Sequence, residues 1–120
     1  MIIDKRVRTS VAKRFVRARP KHDRLVELRD RLDSGEIEEM EPFGRAMTHA
    51  LEKARFDPAS GEAVWIEEDY CSPPLAMERA EVLDDYFDDI TIVEEDIDEA
   101  AEWQRIDDLP ALWEQVLDDA

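Results

Sequence analysis

Residues 63–93 read AVWIEEDYCSPPLAMERAEVLDDYFDDITIV, and this stretch decides the fold that we expect. Both of its ends are strand-like, because β-branched and aromatic residues are concentrated over about 63–70 and again over 90–93. Between them, Ser72 and two prolines indicate the start of a helix, since a serine hydroxyl caps free N–H groups and proline suits the first turn. We therefore predict a helix over about 73–87 and a β-α-β unit over 63–93.

Downstream of this unit, the sequence predicts one more short strand and a final helix. Residues 103–106 form the candidate strand. The helix begins near Leu109 and Pro110, and its apolar residues recur at the helical spacing i, i+3, i+4, i+7 and i+8. The C-terminal half is therefore expected to be a small sheet followed by a C-terminal helix.

The N-terminal half has the pattern of about three helices. Four apolar residues between Val7 and Ala18 fall on one helical face, and Pro20 is expected to end that helix. A second helix is predicted over 22–33, and a third begins at Pro42. The resulting prediction is an α+β fold, with a helical N-terminal half packed on the small C-terminal sheet.

The charge of the chain is strongly uneven. Of the 120 residues, 32 are acidic and 16 are Lys or Arg, which gives a formal net charge of −16. Residues 1–24 carry nine Lys and Arg against two acidic residues, a net of +7, whereas residues 25–120 carry a net of −23. We therefore divide one predicted domain, residues 1–120, into a basic helical head and an acidic body.

The composition also predicts the surroundings of the protein. The chain has 4 Lys beside 16 Asp and 16 Glu, a balance that favours solubility in concentrated salt because carboxylates are strongly hydrated. An ordinary acidic protein from a GC-rich genome is the alternative. The opening MIIDKRVRTS lacks an apolar signal core, and no segment approaches the length of a membrane span. We therefore expect a cytoplasmic protein without a membrane partner.

The basic head is the first candidate binding region. Its candidate binding residues are Arg6, Arg8, Arg14, Arg17 and Arg19. The head can dock on the acidic body of its own chain or of a partner subunit, bind nucleic acid, or bind an acidic protein. Salt disfavours nucleic acid, because about seven phosphate contacts would lose roughly seven orders of magnitude in affinity between about 0.2 M and 3 M salt.

Cys71 is the candidate catalytic residue. It lies between a predicted strand and a predicted helix, where the helix dipole would lower the pKa of the thiol. The acidic residues 67–69 would raise that pKa, and His22 and His49 are the only histidines that could serve as the base. A partly buried, inert cysteine is the alternative. With no metal-ligand spacing among these residues, we expect neither a metal nor a cofactor.

Trp65, Trp103 and Trp113 form the second candidate binding region. They are concentrated in the C-terminal half, where they can form the core or line a binding surface. The acidic clusters of the same half are interpreted as solvated surface, because too many carboxylates are present for any pair to be singled out.

The function expected from these features is binding rather than catalysis. No phosphate-binding, nucleophile-elbow or zinc-protease motif occurs in the sequence. We expect a small accessory or protein-interaction module, with a second copy of the chain or another protein as its partner. A nucleic-acid-associated protein using the basic helix and a cysteine-dependent enzyme using Cys71 are the two alternatives.

Overall fold

A four-stranded antiparallel sheet organises the residues that the computed structural model describes, namely 12–69, 75–95 and 97–114. Its strands are β1 (Ala12–Pro20), β2 (Arg55–Asp57), β3 (Glu62–Asp69) and β4 (Phe87–Glu95). They lie side by side in the order β2-β3-β1-β4. The described ranges therefore form an α+β domain in which β1, the first strand along the chain, occupies the interior of the sheet.

The helices connect and cover these strands. Helix α1 (Leu25–Ser34) follows a 3₁₀ turn at His22–Arg24, α2 is Gly44–Glu52, and α4 is Glu99–Arg105. Helix α3 consists of three consecutive pieces: Ala76–Glu78, a π-helical turn at Arg79–Leu83, and Asp84–Tyr86. Within the described ranges, every helix falls short of the length and apolar character that spanning a bilayer demands.

The predicted layout, with a helical N-terminal half and a C-terminal sheet, is wrong. Three of the four described strands lie before residue 70, and the described part of the expected basic helix is β1. Residues 12–20 also alternate, which places Val16 and Ala18 in one apolar cluster and Phe15 in another on the opposite face. Both faces of β1 are covered, so tertiary packing overrides the helical spacing of the apolar residues.

The predicted β-α-β unit is also corrected by the structure. Its two strands exist as β3 and β4, and its helix exists as α3. However, both strands pair antiparallel with β1, which lies between them, so β3 and β4 run parallel to each other without pairing. The basic strand β1 thus lies between the two strands of the predicted unit.

Most of the predicted third strand, residues 103–106, belongs to helix α4. The side chain of Asp98 caps this helix, since its Oδ1 accepts a hydrogen bond from the N–H of Ala101 at 3.3 Å. Of the predicted final helix, residues 109–114 are described: residues 112–114 are helical, residues 109–111 are not, and residues 115–120 lie outside the described ranges.

Two apolar clusters fill the faces of the sheet. The larger cluster joins one sheet face to α1, α2 and α3, and its members include Val16, Leu28, Leu51, Trp65 and Leu83. The smaller one lies on the opposite face beside α4 and consists of Phe15, Val64, Ile66 and Ile106. This arrangement leaves the second half of β3 at the border between α2 and α4.

Candidate binding cleft

Basic residues of β1 form ion pairs with carboxylates of the same chain. Arg17 Nη1 lies 2.9 Å from Glu62 Oε1 and 3.3 Å from Asp57 Oδ2, so one guanidinium joins β1, β2 and β3. Burial raises the pKa of Asp57, but hydrogen bonds from the Ala59 N–H, Arg17 and Ser60 outweigh it, and the pKa is lowered from its ordinary value. The basic strand therefore docks within its own acidic body.

Lys13 extends the same pattern to the other end of β1. Its Nζ lies 2.5 Å from Glu68 Oε2 on β3 and 3.1 Å from Glu99 Oε1 on α4. Partial burial lowers the pKa of Lys13, but hydrogen bonds to both carboxylates outweigh this effect, and the pKa is raised. Lys13 consequently joins α4 to the sheet.

The candidate arginines of the basic head do not form a projecting surface in the described ranges. Arg17 is ion-paired as above, Arg19 Nε lies 3.5 Å from Asp89 Oδ2, and Arg14 stands opposite Glu67 in the β1–β3 register. Arg6 and Arg8 lie outside the described residues. The nucleic-acid hypothesis requires a helix with unpaired arginines, whereas residues 12–20 form a strand whose cations contact carboxylates.

The three tryptophans are packed within the domain to different degrees. Trp65 is fully buried, and its Nε1 donates to Glu67 Oε1 at 2.7 Å. Trp113 is buried as well, and its Nε1 donates to the Leu51 carbonyl at 2.7 Å. Trp103 is half-buried, with Lys53 Nζ 4.3 Å from its ring centroid. Trp65 and Trp113 therefore belong to the interior of the described domain, and Trp103 is the one of the three that is partly exposed.

Large exposed apolar side chains are few and distributed over the domain. In the described ranges they are Val26 on α1, Met77 on α3 and Val93 on β4. Each lies on a different element. These three side chains and the tryptophans do not form one continuous apolar patch on the described surface. We therefore consider its concave regions as candidate binding sites.

A cleft of about 620 Å³ lies between α2 and the second half of β3. The wall formed by α2 carries Arg45 and His49, which are one turn apart, and the loop before it contributes Glu38. Ile66 and Glu68 line the sheet side, and Glu99 of α4 lines one end. The cleft thus combines a strand edge with a polar helix face.

Among the described strands, none lies beside the edge of β3 that faces this cleft. β2 pairs only with residues 62–64, and the Phe56 N–H points away from β3 to donate to the Pro110 carbonyl. Backbone groups alternate along a strand, so Arg55 and Val64 direct their N–H and C=O groups at each other, and Ile66 directs its groups at the same edge. No hydrogen bond in the described part of the chain uses the Ile66 backbone groups.

Arg45 is unusual among the described arginines. Each of the others has an ion pair or another polar contact, whereas Arg45 has no ion pair and no aromatic ring beneath its guanidinium. It is exposed on the cleft wall. In a chain with twice as many acidic as basic residues, a guanidinium without a carboxylate partner is available to a ligand.

Gly44 fixes the loop that forms one side of the cleft. A Cβ atom added at this position would lie 2.2 Å from the Ile37 carbonyl oxygen and 2.8 Å from that of Glu38. The Gly44 N–H donates to the Met40 carbonyl at 2.7 Å. Glycine is therefore required for the close approach that holds this loop against the start of α2.

Sequence reasoning did not find this cleft. His49, which the sequence suggested only as a possible base for Cys71, is exposed in the structure. Its position on the cleft wall depends on where β3 ends relative to α2, which local spacing does not specify. The glycine at position 44, inside a helical pattern, was the available signal of a close backbone approach.

The remaining candidates from the sequence are the Cys71 thiol and groups of metal-ligating side chains. Cys71 lies outside the described residues, and within the described ranges no group of three or more His, Cys, Asp and Glu side chains is placed to hold a metal ion. Comparison with known proteins gives no match to a family model, a curated protein or a solved structure. The cleft between α2 and β3 is thus the candidate functional site.

Proposed function

We propose that this chain is a small, non-enzymatic protein-interaction module whose binding site is the cleft between α2 and β3. The observation that carries the proposal is Arg45, which has no ion pair in the described ranges and lies on the wall of a cleft of about 620 Å³, a volume in the range of known binding pockets. Other candidate binding residues already have partners within the domain: Trp65 and Trp113 are buried, and Arg17 is ion-paired with Glu62. Arg45 on the cleft wall has no ion pair in the described ranges.

The chemistry of the cleft supports recognition rather than group transfer. Its described lining combines carboxylates, Arg45, His49 and apolar side chains, with no serine, threonine or cysteine among them. Such a lining offers charge pairing and apolar contact to a partner. A nucleophile beside a base, which covalent catalysis needs, is not assembled by these residues.

The proposed setting is a salt-rich cytoplasm. Basic side chains of the described ranges are largely paired with carboxylates, so the excess acidic residues remain for the surface. A hydrated carboxylate surface supports solubility where salt screens the net charge of −16. The partner is then another protein or a second copy of this chain, bound mainly by contact rather than by long-range attraction.

Photo-crosslinking from the cleft tests this function. Benzoylphenylalanine is introduced in place of Arg45, or in place of the exposed Glu81 on α3 as a control, and crosslinking is performed in a lysate at about 2 M KCl. We expect a discrete product from position 45 only. The identified partner, once purified, should bind the Ala46→Trp variant at least about tenfold more weakly and the Ala80→Trp variant normally. Equal products from both positions would contradict the proposal.

A further inference from the structure

The unpaired edge of β3 specifies a kind of ligand for the cleft. Ile66 is only 2% exposed, yet its N–H and C=O groups point into the cleft and have no hydrogen-bond partner in the described ranges. A buried backbone group without a partner costs roughly 1–3 kcal/mol. A ligand that presents a donor and an acceptor at strand spacing would remove this cost.

We infer that the cleft binds an extended segment of a partner protein, which adds to the edge of β3 as a further strand. This inference rests on the proposed function and names the form of the ligand. A peptide backbone carries donors and acceptors at the spacing that Ile66 requires, and strand addition is an established way for sheet edges to recognise peptides.

The α2 wall provides room for side chains of such a segment. Ala46 and Ala50 line the cleft beside Met40 and Pro42, so the wall between Arg45 and His49 is formed by small apolar groups. Alternate side chains of an added strand point to opposite faces of the sheet. One set would therefore contact this apolar wall while the other set approaches the side of the sheet on which α4 lies.

Charge complementarity favours a segment with a basic side chain. Glu38 and Glu41 are exposed at the cleft, and neither has an ion pair in the described part of the structure. A Lys or Arg of the partner can pair with either carboxylate. In about 1 M salt the Debye length is about 3 Å, so this preference acts at contact, while backbone hydrogen bonds and apolar contacts supply most of the affinity.

The outer edge of β4 is a poorer site for strand addition. Asp88 and Asp89 are exposed there, Asp89 has a φ of +53°, and the β1–β4 register shifts at two places. Charged residues and bulges are features that protect sheet edges from pairing. β3, in contrast, pairs with β1 without a register shift over residues 63–69.

A selected peptide can distinguish strand addition from other modes of binding. Random peptides of about ten residues are displayed and selected on the full chain at about 2 M KCl, and the tightest binder is synthesised with each amide N-methylated in turn. We expect methylation at alternate amides to weaken binding at least about tenfold, because an added strand directs every second amide at its neighbour. Hydrogen exchange at the Ile66 amide should slow by about tenfold or more on binding.

Matched variants connect the peptide to the cleft. Ala46→Trp should weaken binding at least about tenfold, whereas Ala80→Trp, at an exposed position of α3, should not. Glu41→Lys changes an exposed residue and is expected to leave folding intact, as checked by circular dichroism. It should weaken a basic peptide by about threefold or more at about 0.15 M KCl, with less effect at about 2 M KCl.

Three results would overturn the inference in distinguishable ways. In the first, Ala46→Trp blocks the peptide, but N-methylation shows no alternation and the Ile66 amide is not protected. This result supports the cleft as the interaction site and rejects strand addition. A selection that yields no peptide sensitive to Ala46→Trp rejects both. Self-association that protects Ile66 without peptide identifies a second copy as the occupant and rejects the partner segment.

Discussion

Arg17 on β1 contacts Glu62 on β3 with 2.9 Å between Nη1 and Oε1, and the same guanidinium reaches Asp57 on β2. A residue expected on a basic helix is therefore an internal cation of the sheet. All three side chains are between 18% and 30% exposed, so solvent screens the pairs only in part. This contact joins the basic strand β1 to the acidic strands β2 and β3.

Removing Arg17 should destabilise the fold. We expect Arg17→Ala to lower the free energy of unfolding by about 1–2 kcal/mol, because two carboxylates lose their cation. Arg45→Ala, which removes no ion pair, should change it by less than about 0.5 kcal/mol. Urea denaturation measures both, and a double-mutant cycle with Glu62→Gln should give a coupling of about 0.5–1 kcal/mol. A coupling energy of zero would contradict a stabilising ion pair between Arg17 and Glu62.

Salt should stabilise the whole protein. With a net charge of −16, self-repulsion opposes the folded state most strongly in dilute buffer, where the Debye length is about 10 Å or more. Urea midpoints at about 0.1 M and 2 M KCl should differ, with the higher midpoint in 2 M KCl. Equal midpoints would argue for an ordinary acidic protein. Potassium sulfate must be avoided, because sulfate also strengthens apolar burial.

The Asp57 carboxylate should contribute to stability in a pH-dependent way. Its pKa in the folded protein is lowered, so its contribution is present above the ordinary pKa of aspartate and is lost as the pH falls through the lowered value. Asp57→Asn should therefore destabilise the protein near pH 7, and its difference from wild type should shrink towards about pH 2. Asp108→Asn, at an exposed position, is the control. A difference that grows in acid would reverse the assigned sign.

Gly44→Ala should disturb the loop before α2. The added Cβ would meet backbone carbonyl oxygens rather than flexible side chains, so we expect a loss of about 1–3 kcal/mol in thermal or urea unfolding. Gly35→Asn is a suitable control, since asparagine tolerates a left-handed conformation and an added Cβ there meets nothing within 4 Å. Equal effects of the two substitutions would contradict the proposed close approach.

Trp113 should act through stability rather than through binding. Its indole is buried and donates to the Leu51 carbonyl, so Trp113→Phe should cost about 1–3 kcal/mol through a lost hydrogen bond and imperfect packing. Trp103→Phe, at a half-buried position, should cost less. Chemical denaturation compares the two. A Trp113→Phe variant with wild-type stability and weakened partner binding would restore the interface hypothesis.

Part of the fold could be predicted from local pattern. The helix expected over 22–33 lies at Leu25–Ser34, and its leucines at 25, 28 and 32 are buried. The segments expected as strands near 63–70 and 90–93 are β3 and β4. These elements have a single apolar periodicity that agrees with their packing, so local and tertiary preferences coincide.

The candidate site could not be predicted in the same way. Arg45 and His49 are ordinary polar residues on a helix, and Ile66 is an ordinary strand residue. They form a cleft because β2 ends after three residues and, among the described strands, none continues along this edge of β3 beside α2. No local pattern reports where a neighbouring strand stops.

By itself, the sequence determined the charge separation along the chain, helix α1, and the strand character of β3 and β4. These properties follow from residue type and spacing over a few turns or strand residues. Only the tertiary structure decided that residues 12–20 form the strand between β3 and β4, and that within the described ranges no strand pairs with the second half of β3 at the edge facing the cleft. A strand acquires its hydrogen bonds and ion pairs from residues far away in the chain, and for β1 those partners lie forty or more positions downstream.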